Sequence, residues 1–526
     1  MPGASLDARA PGREPAPAGE ETCVLHDAQE LQEGAVLEAD VCIVGGGAAG
    51  ITLALELKGS GLRVCLLESG GLAREPAYQD LYAGRNTGID AHLLDARSRR
   101  FGGTTDKWAG WCRPLEPEDL QRQAWQAPEC VWPLTHAELL PCLRRAQRTC
   151  QGGAYDYDAQ GLSTRAGRPL LPLDPALVRT VVYQYSAPID FGKVYRSELE
   201  QAEDVAIWLH ANLVDIELQG NGASVRELRG ATLGGRRFVA RARRYVLTMG
   251  GIEIPRVLLA ANRQQQAGVA NASGLVGKGW MEHPHYYAGA FLLFNSPPDL
   301  SFYTKKPTLT LDDEHPAGET VRVMGALALA SQLRLSEGLP TLACSLSRVE
   351  PNKEGGLTGC FDARVVEPLL RGLPDGRALV AMTIRAEQRP LASSEIRLSN
   401  ERDALGLPRI DMHWQVAEED LGAVYRSLEI IGAAMGRSGL GRLWMPCDAQ
   451  RSYAPTDTEG GGHHMGATVM SESPVQGVVD RDCRVHGMAD LYIASSSVFP
   501  SVGFANPTLT IVALAHRLAD HLKEAR

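Results

Sequence analysis

Asp40 to Gly71 reads DVCIVGGGAAGITLALELKGSGLRVCLLESGG. Val41 to Val44 is a short, wholly apolar run, the pattern of a parallel strand buried on both faces. Gly45, Gly47 and Gly50 follow as G-x-G-x-x-G, and Ile51, Leu53, Ala54, Leu55 and Leu57 then supply one apolar helical face, ended by Gly59 and Gly61. A second apolar run, Val64 to Leu67, stops at Glu68, 18 residues past Gly50. The first glycine allows a tight turn, the second lets backbone approach a pyrophosphate, and the third lets helix pack on strand. The helix N-terminus offers unpaired N–H groups to the phosphates, and an acid at the second strand's end accepts hydrogen bonds from ribose hydroxyls. In a chain with 55 glycines the bare motif is weak. Strand, glycines, helix, strand and acid in register are not. The tract predicts a dinucleotide site without saying which dinucleotide.

Composition narrows the remaining classes. The 526 residues amount to three or four domains' worth of chain, or two large interleaved ones. A net charge of −10 argues against nucleic acid or an anionic membrane as principal partner. Eleven scattered cysteines, with no C-x-x-C pair and with Cys42 and Cys65 inside predicted strands, suit a reducing compartment. No run approaches the roughly 18 apolar residues of a membrane span. The first 20 residues, rich in Ala, Pro and Gly, read as a disordered leader of a cytoplasmic protein. Residues 21–37 read as a lead-in or an edge segment.

Further along, Arg97, Arg99 and Arg100 precede a glycine- and tryptophan-dense loop, Phe101 to Leu115. This reads either as a tight packed turn or as backbone lying against a flat ring system. Residues 153–200 look irregular. Val205 to Leu218 reads as two strands about Ala211-Asn212, and Tyr245 to Leu259 repeats strand, glycine turn and helix, as a dinucleotide domain does on its ligand's other side. Alternating runs at Thr320–Ala330 and Ala378–Arg385 predict an antiparallel sheet, and residues 417–438 an amphipathic helix. Near the C-terminus stand Gly460-Gly-Gly-His-His-Met-Gly466, Leu491 to Pro500, and Asn506-Pro-Thr-Leu-Thr510, which opens a last helix.

Taken in order, the opening tract, the Gly102–Leu115 loop, Gly250-Gly-Ile-Glu-Ile-Pro255, Gly277-Lys-Gly-Trp-Met-Glu-His-Pro284 and the C-terminal stretch resemble the glucose–methanol–choline (GMC) flavoprotein oxidoreductases, nearest to bacterial gluconate-dehydrogenase-like and pyranose-oxidase-like members. The resemblance implies an α/β fold: a Rossmann-like FAD-binding domain of discontinuous segments (38–150, 203–285, 445–526) and an α+β substrate domain with a mostly antiparallel sheet (151–202, 286–444). It implies hydride transfer from a polyol, sugar or sugar-like secondary alcohol to flavin, with oxygen, quinone or a protein as acceptor. A flavin-retaining lyase and a non-catalytic flavin protein stay open as alternatives, and so does oligomeric state.

The implied catalytic pair is His463 with Asn506. His463 suits a base with a pKa near neutrality, and Asn506 can stabilise a developing alkoxide but cannot take its proton. His464 is the adjacent alternative, though neighbours on an extended segment point to opposite sides. The implied cofactor contacts are Gly45, Gly47, Ala48, Ala49, Gly50, Glu68, Gly103, Thr104, Trp108, Ala109, Val214, Gly250, Ala494, Ser495, Asn506 and Thr508. Pyranose-oxidase-like members bond FAD covalently through a His in the Gly-Gly-Thr-Thr-Asp-Lys-Trp loop. Lys107 holds that position here, so the expectation is non-covalent FAD. Ser495 and Ser496 stand where many relatives carry an Asp. No third ligand sits at metal-binding spacing near the His pair, so no metal is expected. His283 and His285 are expected to be structural.

Overall fold

The computed structural model describes residues 24–127, 131–186, 189–310, 320–349, 363–374, 377–450, 452–455 and 458–524. The expected leader lies outside them. The four apolar residues Val41–Val44 are buried throughout and sit inside a six-stranded parallel sheet. Its order is Leu25–Asp27, Val205–Leu209, Val64–Leu67, Val41–Val44, Arg244–Leu247, Leu491–Ile493, with Cys42 opposite Cys65 on one side and Tyr245 on the other. The strands come from three distant stretches of chain, which is why both ends of the sequence carry motifs for one site. The stretch read as a lead-in or edge segment, residues 21–37, supplies the edge strand Leu25–Asp27 of this sheet and most of the strand Ala35–Glu38 of a smaller four-stranded one.

Helix Ala48–Leu57 packs its apolar face on the sheet and on the last helix, Thr508–Glu524, which in turn packs on His136–Thr149. Ile51, Leu53 and Leu57 are wholly buried, each contributing about 1.5–3 kcal/mol of transfer free energy. Thr135 begins His136–Thr149 as a capping box with Glu138.

A nine-stranded antiparallel sheet roofs this layer. Its main path runs Gly441–Trp444, Pro284–Phe294, Ala378–Ala386, Leu342–Arg348, Thr320–Leu329, Val178–Tyr185, Trp111–Cys112. Period-2 alternation gives it two unlike faces. Val321, Val323, Leu327 and Leu329, with Val380, Met382 and Ile384, join a core under helix Glu418–Arg437. The intervening Met324, Ala326 and Ala328 cluster with Tyr183, Tyr185, Phe504 and Trp111 on the opposite face. That face looks toward the parallel sheet. Strand Val178–Tyr185 lies where the sequence looked irregular: its last five residues are all buried, so no alternation marks it.

Candidate active site

A cavity of about 680 Å³ runs from the first glycine turn to the C-terminal loops, within the size range of small-molecule sites. At one end, Gly45 has φ +112°, and a Cβ there would stand 3.0 Å from the Thr248 backbone. A Cβ on Gly47 would meet only the Gly103 Cα, in ordinary contact at 4.0 Å, and Gly47, Ala48 and Ala49 all line the cavity. The helix they open has no side-chain cap, so its first N–H groups face the cavity unpaired by any side chain. Gly50 is not part of the lining. A Cβ there would lie 1.9 Å from the Gly45 carbonyl oxygen, so its role is packing of helix on turn. Glu68 is buried and accepts N–H bonds from Gly46 and Gly70, each 2.8 Å.

The Phe101–Leu115 loop docks directly on this turn. Gly102 N–H donates to the Gly46 carbonyl at 2.7 Å, and Gly103 approaches Gly47 so closely that a Cβ would meet its Cα at 2.9 Å. Gly103, Thr104, Trp108 and Ala109 line the cavity, as does Lys107, whose ammonium donates to the Asp95 carbonyl. Arg97 and Arg99 line it too, paired with buried Glu253; Arg100 instead pairs with Asp190. Gly250, Ala494, Ser495 and Thr508 complete the set. Val214 does not line the cavity: Ala211, Asn212 and Leu213 do, because the chain turns from one strand into the next there.

At the other end lies the histidine site. His463 Nε2 is 3.0 Å from Asn506 Nδ2, and His463 Nδ1 is 2.9 Å from His283 Nδ1. The tautomers follow from the last acceptor in the chain. His283 Nε2 faces the Val502 carbonyl oxygen at 3.4 Å, and a carbonyl only accepts, so Nε2 carries the proton. Neutral His283 then has a bare Nδ1, which accepts from His463 Nδ1–H. His463 Nε2 is left with a lone pair, directed at the Asn506 amide. Burial, with His283, His285 and Arg385 nearby, holds the His463 pKa well below the ordinary imidazole value. His283 is lowered to about 4 by burial.

His285 also lines the cavity, its ring 5.7 Å from that of His463. A side chain at Gly461 would come within 2.6 Å of His285 Nε2 and 2.9 Å of His463 Nδ1, so only glycine admits both rings. Beneath them Glu282, fully buried, accepts His463 N–H at 2.7 Å and His283 N–H at 2.9 Å. Burial pushes its carboxyl up to about 8 against the pull of those backbone donors. His464 lines the cavity but its ring packs on Trp280, 5.7 Å between centroids, and burial lowers it to about 3. Asn506 thus stands with His463, not His464. His283 and His285, expected to be structural, are brought to the site. The clue was in the sequence: His-Pro-His at the start of a strand puts both histidines on one face. Arg385, also in the lining, carried no such clue.

Uncapped helix, paired glycine turns and a long cavity ending at two histidines and an amide describe a flavin-dependent oxidoreductase. Residues 40–272 match the family model described as FAD dependent oxidoreductase, and residues 390–515 the model described as GMC oxidoreductase. The chain thus carries an FAD dependent oxidoreductase domain and a GMC oxidoreductase C-terminal domain. It is 27% identical to the fructose dehydrogenase large subunit of Gluconobacter japonicus over 53% of this chain and 47% of that protein, so it spans about half of that relative. It is 25% identical to the 6'''-hydroxyparomomycin C oxidase of Streptomyces lividus over 93% and 92% of the two chains. Similarity to the 2-methyl-1,2-propanediol dehydrogenase of Mycolicibacterium austroafricanum is 22% over 92% and 95%. Among solved structures, pyridoxine 4-oxidase from Mesorbium loti superposes with a TM-score of 0.58 at 18% identity, over 92% of this chain and 98% of that one. Formate oxidase gives 0.53 at 17% identity, over 94% and 99%. The parallel sheet with an antiparallel roof is the architecture they share. Among the described residues no helix is long and apolar enough to cross a membrane.

Proposed function

We propose that this protein oxidises the carbinol of a polyol, sugar or sugar-like secondary alcohol to a carbonyl, with non-covalently held FAD. The residues present fit that cofactor. Gly45, Gly47, Ala48 and Ala49 with the uncapped helix suit the pyrophosphate, Glu68 the adenosine ribose, and Gly103, Thr104, Trp108, Ala109, Ala494, Ser495 and Thr508 the rest of its length. Bound FAD supplies the hydride acceptor, at its N5. The chain's own residues handle the proton. His463 Nε2 takes it from the substrate hydroxyl as hydride leaves the same carbon, and Asn506 N–H donates to the oxygen as charge builds there. His283 holds His463 in the tautomer with Nε2 free and accepts the Nδ1–H bond throughout. Glu282 fixes the backbone that carries His463. Lys107, engaged by the Asp95 carbonyl, leaves that loop position without the imidazole a covalent link would need.

The observation that carries this reading is the His283–His463–Asn506 chain, which leaves a basic nitrogen facing the cavity next to an amide donor. Anaerobic mixing with an alcohol panel tests it. Bleaching of the flavin band is expected, and His463→Ala should abolish it with FAD still bound. Product without bleaching indicates a lyase, and wild-type reduction by His463→Ala removes His463 as the base.

A further inference from the structure

The cavity wall opposite the glycine turns is the inner face of the roof sheet, and it carries positive charge. Arg385 sits between His285 on one neighbouring strand and Ala343 on the other. Alternation puts it on the same face as Ala326 and Ala328, which leave room beside it. Its guanidinium stacks 4.3 Å from the Trp111 ring centroid, and Nη1 donates to Ser345 Oγ at 2.6 Å. That bond uses one of five N–H donors. Two more cations lie on the same side of the sheet beyond the cavity lining, Lys306 exposed and Arg322 partly buried. Lys306 Nζ lies 4.0 Å from the Tyr185 ring centroid and 5.7 Å from that of Trp111, and Arg322 pairs across strands with Tyr185. Among the described residues no carboxylate forms an ion pair with any of the three, and the charges acting on Lys306 are those of Arg322 and Arg385.

Arg385 is a partly buried guanidinium with no anionic partner among the described residues. It is costly to desolvate without an anion, and it adds to the positive field around three histidines. Its planar edge matches a carboxylate or phosphate. We propose that the alcohol oxidised here carries an oxyanion, seated on Arg385 within the field of Lys306 and Arg322, while its carbinol meets His463 Nε2 and Asn506. This rests on the alcohol-oxidation reading above and names its substrate class.

The test uses the FAD-loaded full chain and two matched series: glycerol, glycerate and glycerol 3-phosphate, and glucose, glucuronate and glucose 6-phosphate. Flavin reduction is followed anaerobically, and binding separately by calorimetry. In at least one series an anionic member should reduce the flavin at least ten-fold more efficiently than its neutral parent. The carboxylate and phosphate arms show which oxyanion is seated. Arg385→Met should bring the ratio toward one, and Arg385→Lys should keep part of it. Should Arg385→Met fail to fold, the wild-type ratio alone still decides. Bleaching by neutral members as efficiently as by anionic ones overturns the oxyanion seat and leaves alcohol oxidation standing. Anion binding that Arg385→Met weakens, with no bleaching by any compound, upholds the seat and overturns the oxidation reading. Anion binding that is absent, or unchanged in Arg385→Met, overturns the seat.

Discussion

Nδ1 of His283 lies 2.9 Å from Nδ1 of His463, and the Val502 carbonyl behind it decides which of the two carries the shared proton. The two residues are 180 positions apart. One stands just before the roof strand Pro284–Phe294 and the other on a C-terminal loop, so the orientation of the proposed base is set across the junction of the two sheets.

Removing that contact has a specific signature. In His283→Ala, His463 loses the acceptor that keeps its proton on Nδ1, and both tautomers become available. A hydrogen bond of about 1–2 kcal/mol corresponds to roughly 5–30-fold in rate. Anaerobic stopped-flow should show slower flavin reduction by that factor with FAD content unchanged, whereas a change in FAD content alone would mark His283 as a packing residue.

Loss of the base itself is larger. His463→Ala should lower the reduction rate by about 10²–10⁴-fold. The pH profile adds a sign. Because the His463 pKa is held well below 6.5, the basic form is already present at neutral pH. The rate of flavin reduction should therefore stay flat on acidification through pH 6.5 and fall only further down. A fall centred on pH 6.5 contradicts the burial of this ring.

His464 writes a pH dependence into stability. Its pKa is about 3 in the fold against 6.5 outside it. Between those values the unfolded chain binds a proton that the folded chain does not, so this contribution to stability is lost as pH falls through the window. His464→Gln removes one such proton. The variant's unfolding free energy should decline less steeply between pH 6 and 4, by about 1.4 kcal/mol per pH unit in denaturant titrations.

Within the histidine site, Gly461 is a position where sterics exclude a side chain. A methyl group at 2.6 Å from His285 Nε2 must displace one ring. Gly461→Ala should keep the fold and FAD, measured by circular dichroism and the flavin band, and lose reduction nearly as completely as His463→Ala.

Acid or detergent denaturation should release all of the yellow colour from the polypeptide. Flavin that stays on the chain through gel filtration in denaturant contradicts the role given to Lys107.

Much of this was legible in the chain. Val41–Val44, the three glycines and Glu68 follow local rules, because a buried strand, a tight turn and a helix start each demand particular residues. His463 and Asn506 were reachable because each sits in a motif. His283 and His285 left a clue in His-Pro-His, but Glu282 and Arg385 left none: Arg385 meets His285 only through the pairing of distant strands, and Glu282 meets the His463 backbone across 181 positions. Val214 was displaced by its neighbours for a similar reason: which side chain of a strand end meets a cavity depends on the turn before it. The strand Val178–Tyr185 escaped because full burial erases the alternation that would announce it.

Glu282, His283 and His285 enter the roof strand, and His463 and Asn506 hang from loops beside the parallel sheet. Neither layer owns the proton-handling machinery. Neither sheet alone would orient the proposed base, so the chemistry proposed for this site requires both layers to be docked, and a loosened junction would cost activity before it cost dinucleotide binding.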